Sequence, residues 1–231
     1  MSNNYYDATG VLEFSANAVI TPVIRALFRP FKLDEDDLRR SPSTTVYIAH
    51  LAEDNNTDWE TIFASIAEEA QGIGIRPLTD DHDESSMMWL EALIAKFVHS
   101  DEGLGDLLDR IARDAQSHSD ADLEALYAIA MLCNDGHNLK AIHMEGCWHC
   151  SKPRLFEFGG IGEYRGLAFS ITRSSTEALR LGSALSAALE SSNLDVAAQL
   201  VAEDLEKVLA GVTGAEVRSV LRAKVLERIG R

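Results

Sequence analysis

The residue types that can ligate a metal or act as a nucleophile gather in one short stretch of this 231-residue chain. All three cysteines and three of the seven histidines lie there: Cys133, His137, His143, Cys147, His149 and Cys150. Thiolate sulfur and imidazole nitrogen are preferred zinc ligands, and a thiol beside an imidazole can act as a nucleophile. Any specific chemistry is therefore expected between residues 133 and 150.

A metal site is one interpretation of this stretch. Cys147-x-x-Cys150 would form a tight knuckle around zinc, and Cys133, His137 or His143 would complete the four ligands. A zinc ribbon normally uses two such knuckles, and the chain contains no second Cys-x-x-Cys pair. A zinc-stabilised module or metalloenzyme is therefore the alternative hypothesis, with zinc as its cofactor.

An ordinary half-buried strand is the favoured interpretation, because residues 139–150 alternate between apolar and polar types. Alternation places one set of side chains toward the core and the other toward solvent. The inward set would be Ile142, Met144, Trp148 and Cys150, and the outward set His143, Glu145, Cys147 and His149. A strand sends Cys147 and Cys150, three positions apart, to opposite faces, so they could not hold one ion. No cofactor is expected on this interpretation.

Other reactive patterns are incomplete. Cys147 and His149 would share a strand face about 6–7 Å apart, but no third residue is evident to orient the imidazole. A thioredoxin-type pair should open a helix, whereas the residues after Cys150 lead toward another predicted strand. The acidic run from Asp80 to Glu84 lacks the glycine turn and spaced glutamate of a calcium loop. We therefore do not expect an enzyme.

A glycine-rich segment, residues 159–166, follows the cysteine and histidine stretch. It lacks the Gly-Lys-Ser/Thr of a phosphate loop and is not followed by a predicted helix. It is interpreted as a hairpin loop in which glycines adopt positive φ. With its neighbours it would present a small basic and aromatic surface that could bind a partner. The candidate binding residues are Trp148, His149, Lys152, Arg154, Tyr164 and Arg165.

The elements that must position these residues form a helix-rich α+β fold. A small, mainly antiparallel sheet is predicted, with strands near 9–16, 44–52, 139–150, 154–158 and 166–172. Thr21-Pro22 predicts a helix start, and Ser/Thr-x-x-Glu capping boxes predict three more, at Thr57, Ser174 and Thr213. The last three helices are expected to stack against the sheet. We predict a single domain, residues 1–231, with a subdivision near 136 that separates an acidic βαβα part and further helices from a C-terminal β-hairpin and three helices.

The charge is distributed unevenly along the chain. The formal net charge is −16, but residues 1–136 hold 26 acidic and 9 basic side chains, whereas residues 137–231 hold 11 and 12. Binding to a nucleic acid backbone requires clustered lysine and arginine, so direct nucleic acid binding is not expected. An acidic surface would instead attract a cationic protein.

The remaining features bound the class of protein. No stretch approaches the roughly 20 apolar residues of a membrane span, and the N-terminus has no basic and apolar signal pattern. Three cysteines, an odd number, do not suit a disulfide scaffold. These features predict a cytoplasmic, non-enzymatic protein-interaction or regulatory module. A remoter alternative is an acidic nucleic acid mimic that occupies a DNA-binding protein.

Overall fold

Five strands make up the sheet in the part of the chain that the computed structural model describes, residues 4–77, 86–98, 103–117, 120–152 and 158–230. They form one open antiparallel sheet in the order β2-β1-β3-β4-β5. Their bounds are β1 Asn4–Phe14, β2 Thr45–Leu51, β3 Leu139–Cys150, β4 Gly159–Gly166 and β5 Ser170–Ser174. The predicted helix-rich α+β class is confirmed.

Helices occupy most of the chain between and after these strands. In chain order they are α1 Pro22–Phe28, α2 Glu35–Arg40, α3 Trp59–Gly72, α4 Ser86–Phe97, α5 Leu104–Gln116, α6 Leu123–Leu132, α7 Ser175–Glu190, α8 Leu194–Ala210 and α9 Ala215–Ile229. A single 3-10 turn, Arg29–Phe31, follows α1. None of the described helices is long and apolar enough to cross a membrane.

The glycine-rich segment is a strand, so its interpretation as a hairpin loop was wrong. Residues 159–166 form β4, which pairs with β5 in antiparallel register, Glu163 opposite Thr172. None of the four glycines has a positive φ, and two of them accommodate aromatic rings: a Cβ on Gly159 would lie 3.2 Å from the Trp148 ring. A Cβ on Gly166 would lie 2.9 Å from the ring of Tyr164. At these two strand positions, glycine therefore allows an aromatic ring to approach the backbone closely.

The bounds of the other strands differ to varying extents from those predicted from the sequence. The strand predicted near 9–16 begins at Asn4, and that near 44–52 spans Thr45–Leu51. The strand at 139–150 has the predicted bounds, and the one near 166–172 lies at Ser170–Ser174. The strand predicted at 154–158 falls almost entirely outside the described residues, and Phe158 itself is not in a strand.

Helix starts depend on local hydrogen bonds that the sequence predicts with mixed success. Ser174 accepts from the Glu177 amide, and the Glu177 carboxylate accepts from the Ser174 amide, which confirms that capping box. The Thr21 cap is also confirmed. The other two boxes were wrong: Asp58 caps α3, because the Thr57 hydroxyl bonds His50 Nδ1 at 2.7 Å. Helix α9 starts from Gly214, whose φ is +88°.

Two compact units divide the chain. The N-terminal unit comprises Tyr6–Met144, and the C-terminal unit comprises Met1–Tyr5 with Glu145–Arg231. The division therefore falls within β3, further along the chain than the charge shift near residue 136. The N-terminal unit holds 26 acidic and 10 basic side chains, a net charge of −16, whereas the C-terminal unit holds 11 of each.

The N-terminal unit has a large apolar core. It is built around fully buried side chains from β1, β2 and helices α1, α3 and α4, among them Leu12, Leu27, Phe28, Ile48, Trp59, Ile62 and Leu93. The C-terminal unit buries much less: among its described residues, the buried apolar side chains are Cys150, Ala188, Ala197, Leu209 and Val212. Three of these five residues are alanine or cysteine, and Leu209 is the one fully buried leucine of the three C-terminal helices, whose packing against the sheet was expected to bury more.

Candidate functional site

Strand β3 carries most of the reactive residues, and its burial confirms the alternation predicted for it. Ile142, Met144 and Cys150 are buried, while His143, Glu145 and Cys147 are exposed. Cys147 and Cys150 therefore occupy opposite sides of an extended strand, as the pleat requires.

Trp148 is the departure from this pattern, because its expected place in the core was wrong. The side chain is 40% exposed. Its ring lies over Gly159 on the neighbouring strand, where the absence of a Cβ provides room. An indole is large enough to cover a glycine backbone while keeping one edge in water.

Cys133 and His137 are committed to structural roles in the N-terminal unit. Burial, and secondarily the charge of Asp135, raises the pKa of the Cys133 thiol to about 12. His137 Nε2 donates to the Ala130 carbonyl at 2.8 Å, and its Nδ1 accepts from the Leu139 amide at 3.2 Å. Both ring nitrogens of this histidine are therefore occupied by backbone partners.

The other predicted zinc ligands are not gathered either. His143 Nε2 lies 2.9 Å from Glu13, whose pKa is lowered, first by its hydrogen bond to Lys140 and then by that to His143. Within the described ranges, no three histidine, cysteine, aspartate or glutamate side chains are grouped so that they could hold a metal ion. The ligand set Cys133, His137, His143, Cys147 and Cys150 is therefore not brought together in this part of the chain.

The candidate binding residues that the structure describes do not share one surface. His149 stacks on Tyr5 with ring centroids 5.3 Å apart, and Lys152 is exposed. Arg154 lies outside the described residues. Tyr164 packs beside Phe169, while Arg165, the next residue on β4, is directed to the other face by the strand pleat.

Arg165 holds the hairpin together. Its side chain is buried, and Nη2 donates to Glu163 at 2.8 Å and to the Thr172 hydroxyl at 2.7 Å. These partners lie on the two strands of the β4–β5 hairpin and face each other in register. The guanidinium thus stabilises the sheet instead of standing on the surface where it was expected.

A group of exposed apolar side chains lies on helices α8 and α9, where the sequence predicted packing against the sheet. Helix α8 buries Ala197 and Leu209, and α9 buries none of its fifteen residues. Eight large apolar side chains of these helices are exposed, from 39% at Leu221 to 71% at Ile229. We call them the α8–α9 surface: Leu194, Val196, Val201, Val217, Val220, Leu221, Leu226 and Ile229. In the described part of the N-terminal unit, the exposed large apolar side chains are Val19, Tyr47 and Ile73.

Polar contacts hold these helices within the C-terminal unit. Arg173 on β5 donates to Asp204 on α8 at 2.7 Å, and this hydrogen bond raises the pKa of Arg173. Arg218 at the start of α9 donates to the Val212 carbonyl at 2.9 Å. An ion pair between Arg222 and Glu206 joins α9 to α8. Such contacts orient the helices without covering their apolar side chains.

One signal in the sequence indicates the exposure of α9. An α-helix turns by about 100° per residue, so Val217 and Leu226, nine positions apart, lie on opposite sides of it. A helix packed on one sheet buries only one apolar stripe. Apolar residues distributed around α9 therefore could not all face the sheet.

Comparison with known protein families, curated proteins and solved structures finds no match for this chain.

Proposed function

We propose that this protein is a non-enzymatic protein-interaction module that docks a partner protein on the α8–α9 surface. The single observation that carries the proposal is the exposure of eight large apolar side chains on two adjacent helices. Single exposed apolar side chains are normal on soluble proteins, whereas a group of them on neighbouring helices is typical of an interaction site.

Burial of these apolar side chains by a partner would stabilise the complex. Transferring one leucine, isoleucine or valine side chain from water to an apolar interface is worth about 1.5–3 kcal/mol. A few well-packed side chains near the centre of an interface usually carry most of its affinity. Leu226 and Ile229 are 59% and 71% exposed, so most of the surface of each side chain is available for burial by a partner.

The bonded arginines support docking, instead of an unstable C-terminal unit, as the reason for the exposed apolar side chains. Arg173, Arg218 and Arg222 have partners within the unit, so the backbone of α8 and α9 is anchored before any partner arrives. A surface on anchored helices loses less conformational entropy on binding than one on a mobile segment.

Photo-crosslinking in cells tests this proposal. Benzoylphenylalanine is placed at Leu226, and the matched control carries it at Val19, a comparably exposed residue of the N-terminal unit. We expect a discrete crosslinked species from position 226 and little from position 19. Equal yields at the two positions, or no product at 226, would contradict docking on the α8–α9 surface.

A further inference from the structure

We infer that a groove in the N-terminal unit binds a small amphiphile, a molecule with an anionic carboxylate head and an apolar tail. The groove has a volume of about 700 Å³ and lies between α4 and the residues that follow α3, 73–76. This site goes beyond the proposed docking function, because no residue of the α8–α9 surface lines it.

One face of α4 forms the first wall of the groove. The lining residues of this helix are 88, 91, 92, 95 and 96, which are spaced three or four apart and therefore share a face. The core-facing side chains Leu90, Leu93 and Ile94 are fully buried on the opposite side. The wall is thus a single continuous strip of the helix surface, separate from the strip that packs in the core.

The second wall is held in place by backbone hydrogen bonds at the end of α3. Gly74 has a φ of +77°, which turns the chain out of the helix, and its amide donates to the Gln71 carbonyl at 3.0 Å. The Ile75 amide donates to the Ala70 carbonyl at 2.9 Å. Small-molecule sites are usually formed largely before the ligand arrives, and a wall fixed in this way meets that condition.

The interior of the groove suits an apolar tail. Ile73, Ile75, Met88, Ala92 and Ala95 contribute apolar surface, and the two alanines leave space that longer side chains would fill. Ile73 is 42% exposed, so a tail that covers it removes apolar surface from water. The volume lies within the roughly 300–1,000 Å³ that is usual for small-molecule sites. Its size therefore favours a small molecule over a protein partner.

The charge of the groove favours an anionic head. Arg76 and Lys96 line it, both are exposed, and no described side chain pairs with either of them. The other basic side chains described in this unit have ion pairs or a backbone hydrogen bond: Arg25, Arg29, Lys32, Arg110, Arg113 and Lys140.

Glu91 is the acidic side chain among the lining residues. The lining therefore holds two cations and one carboxylate, a net charge of +1 in a unit whose net charge is −16. A cationic amphiphile would be attracted to the unit as a whole. Preference for an anion is therefore expected from this groove and not from the remainder of the acidic unit.

Titration of the untagged full chain with sodium decanoate, below its micelle concentration, tests the site by calorimetry. We expect saturable binding to one site per chain, weaker binding of the neutral decanol, and no competition by decyltrimethylammonium. Arg76→Gln with Lys96→Gln should raise the decanoate dissociation constant about threefold or more, because two exposed charge interactions are lost. Arg113→Gln, which removes an exposed cation of α5, is the matched control and should leave the constant unchanged.

Methionine methyl NMR locates the bound decanoate. The Met88 methyl signal should shift during the titration, whereas the signal of Met144, buried on β3, should not. Ala95→Trp places an indole in the groove at an exposed helix position and should abolish both the binding and the Met88 shift. Circular dichroism establishes that each variant is folded.

Several results would overturn the amphiphile site. These are equal binding of decanol, binding that the charge and Ala95→Trp variants leave unchanged, or an unshifted Met88 signal. Crosslinking from benzoylphenylalanine at position 91 to another protein, without decanoate binding, would assign the groove to a protein partner. Sedimentation with phosphatidylglycerol vesicles, without binding of free decanoate, would assign it to a membrane surface.

The docking proposal is tested separately. A variant with Leu226→Gln and Ile229→Gln, on the α8–α9 surface, should bind decanoate as the wild type does, because neither residue lines the groove. Failure of decanoate to bind therefore leaves the crosslinking result from position 226 unaffected. Absence of that crosslink, with decanoate bound at Met88, would overturn docking alone.

Discussion

At the scale of single residues, burial gives the three cysteines different reactivity. Cys133 is 3% exposed at the end of α6, and burial raises its thiol pKa to about 12. Cys150 is buried on β3, whereas Cys147 is on the exposed side of the same strand. Since the thiolate is the reactive form, a buried, protonated thiol behaves as a small apolar side chain.

Alkylation should therefore select Cys147. At pH 8 and without denaturant, iodoacetamide is expected to modify Cys147 at least about tenfold faster than Cys133, because Cys133 is buried and its raised pKa keeps its thiol protonated. Peptide mass spectrometry after timed quenching measures the two rates. The denatured chain is the control, in which the rates should converge. Similar rates in the native protein would contradict the assigned burial.

The zinc content provides a second test at this scale. Cys147 and Cys150 face opposite sides of β3, and His137 uses both ring nitrogens for backbone hydrogen bonds. We therefore expect less than about a tenth of an equivalent of zinc in untagged protein, since a structural site would bind with roughly 10–16 kcal/mol and retain its ion. One equivalent, lost together with the fold on chelation, would establish the zinc hypothesis instead.

At the scale of elements, local patterns predict those parts of the fold that depend on local physics. The alternation of apolar and polar residues predicted the bounds of β3, and the predicted Ser174 capping box forms with both of its hydrogen bonds. Residues 159–166 were missed because glycine carries no side-chain pattern, and its role in β4 depends on rings contributed by Trp148 and Tyr164. Thr57 was misassigned because its hydroxyl bonds His50, a partner the sequence pattern does not include.

Glycine positions within strands can be distinguished experimentally. A Cβ on Gly10 of β1 would lie 2.0 Å from the His143 carbonyl oxygen, whereas a Cβ on Gly162 of β4 meets nothing within 4 Å. Gly10→Ala should lower the free energy of unfolding by about 1–3 kcal/mol or more, because the backbone must move. Gly162→Ala, the control, should change it by less than about 0.5 kcal/mol. Denaturant unfolding measures both, and equal effects would refute the close approach of β1 and β3.

The capping box of α7 is a second target. Ser174→Ala should cost about 1 kcal/mol of unfolding free energy, because the Glu177 amide loses its acceptor. Thr176→Ala, two positions into the same helix, is the matched control and should be nearly neutral. If the two substitutions cost the same in denaturant titrations, the hydroxyl of Ser174 does not stabilise the helix start.

At the scale of the whole molecule, the chain combines a unit with a large core and a unit with little apolar burial. Helices at the positions of α8 and α9 could be predicted from the sequence, although the residue predicted to cap α9 was wrong. Their burial could not be predicted, because burial depends on what covers them. Val217 and Leu226, on opposite sides of α9, illustrate the difference. Both are apolar residues of the kind that helices bury against a core, yet both are more than half exposed.

This difference in burial predicts a difference in local stability. Segments with few buried apolar contacts open at lower free energy than the core. In the dilute Leu226→Gln, Ile229→Gln variant, limited trypsin digestion should cleave α9 at Lys224 or Arg228 before it cleaves α1 at Arg25, whose helix is buried in the N-terminal core. Mass spectrometry of early fragments identifies the order, and initial cleavage at Arg25 would contradict the contrast between the units.

Hydrogen exchange of the α9 amides tests the docking account most directly. The assembly is isolated from cells under mild conditions, and exchange across Ala215–Ile229 is compared with that in the Leu226→Gln, Ile229→Gln variant, with α6 as an internal reference. We expect α9 to exchange at least about tenfold more slowly in the wild-type assembly, because a partner covers its apolar side chains, while exchange of α6 is unchanged. Identical α9 exchange in the two samples would contradict it.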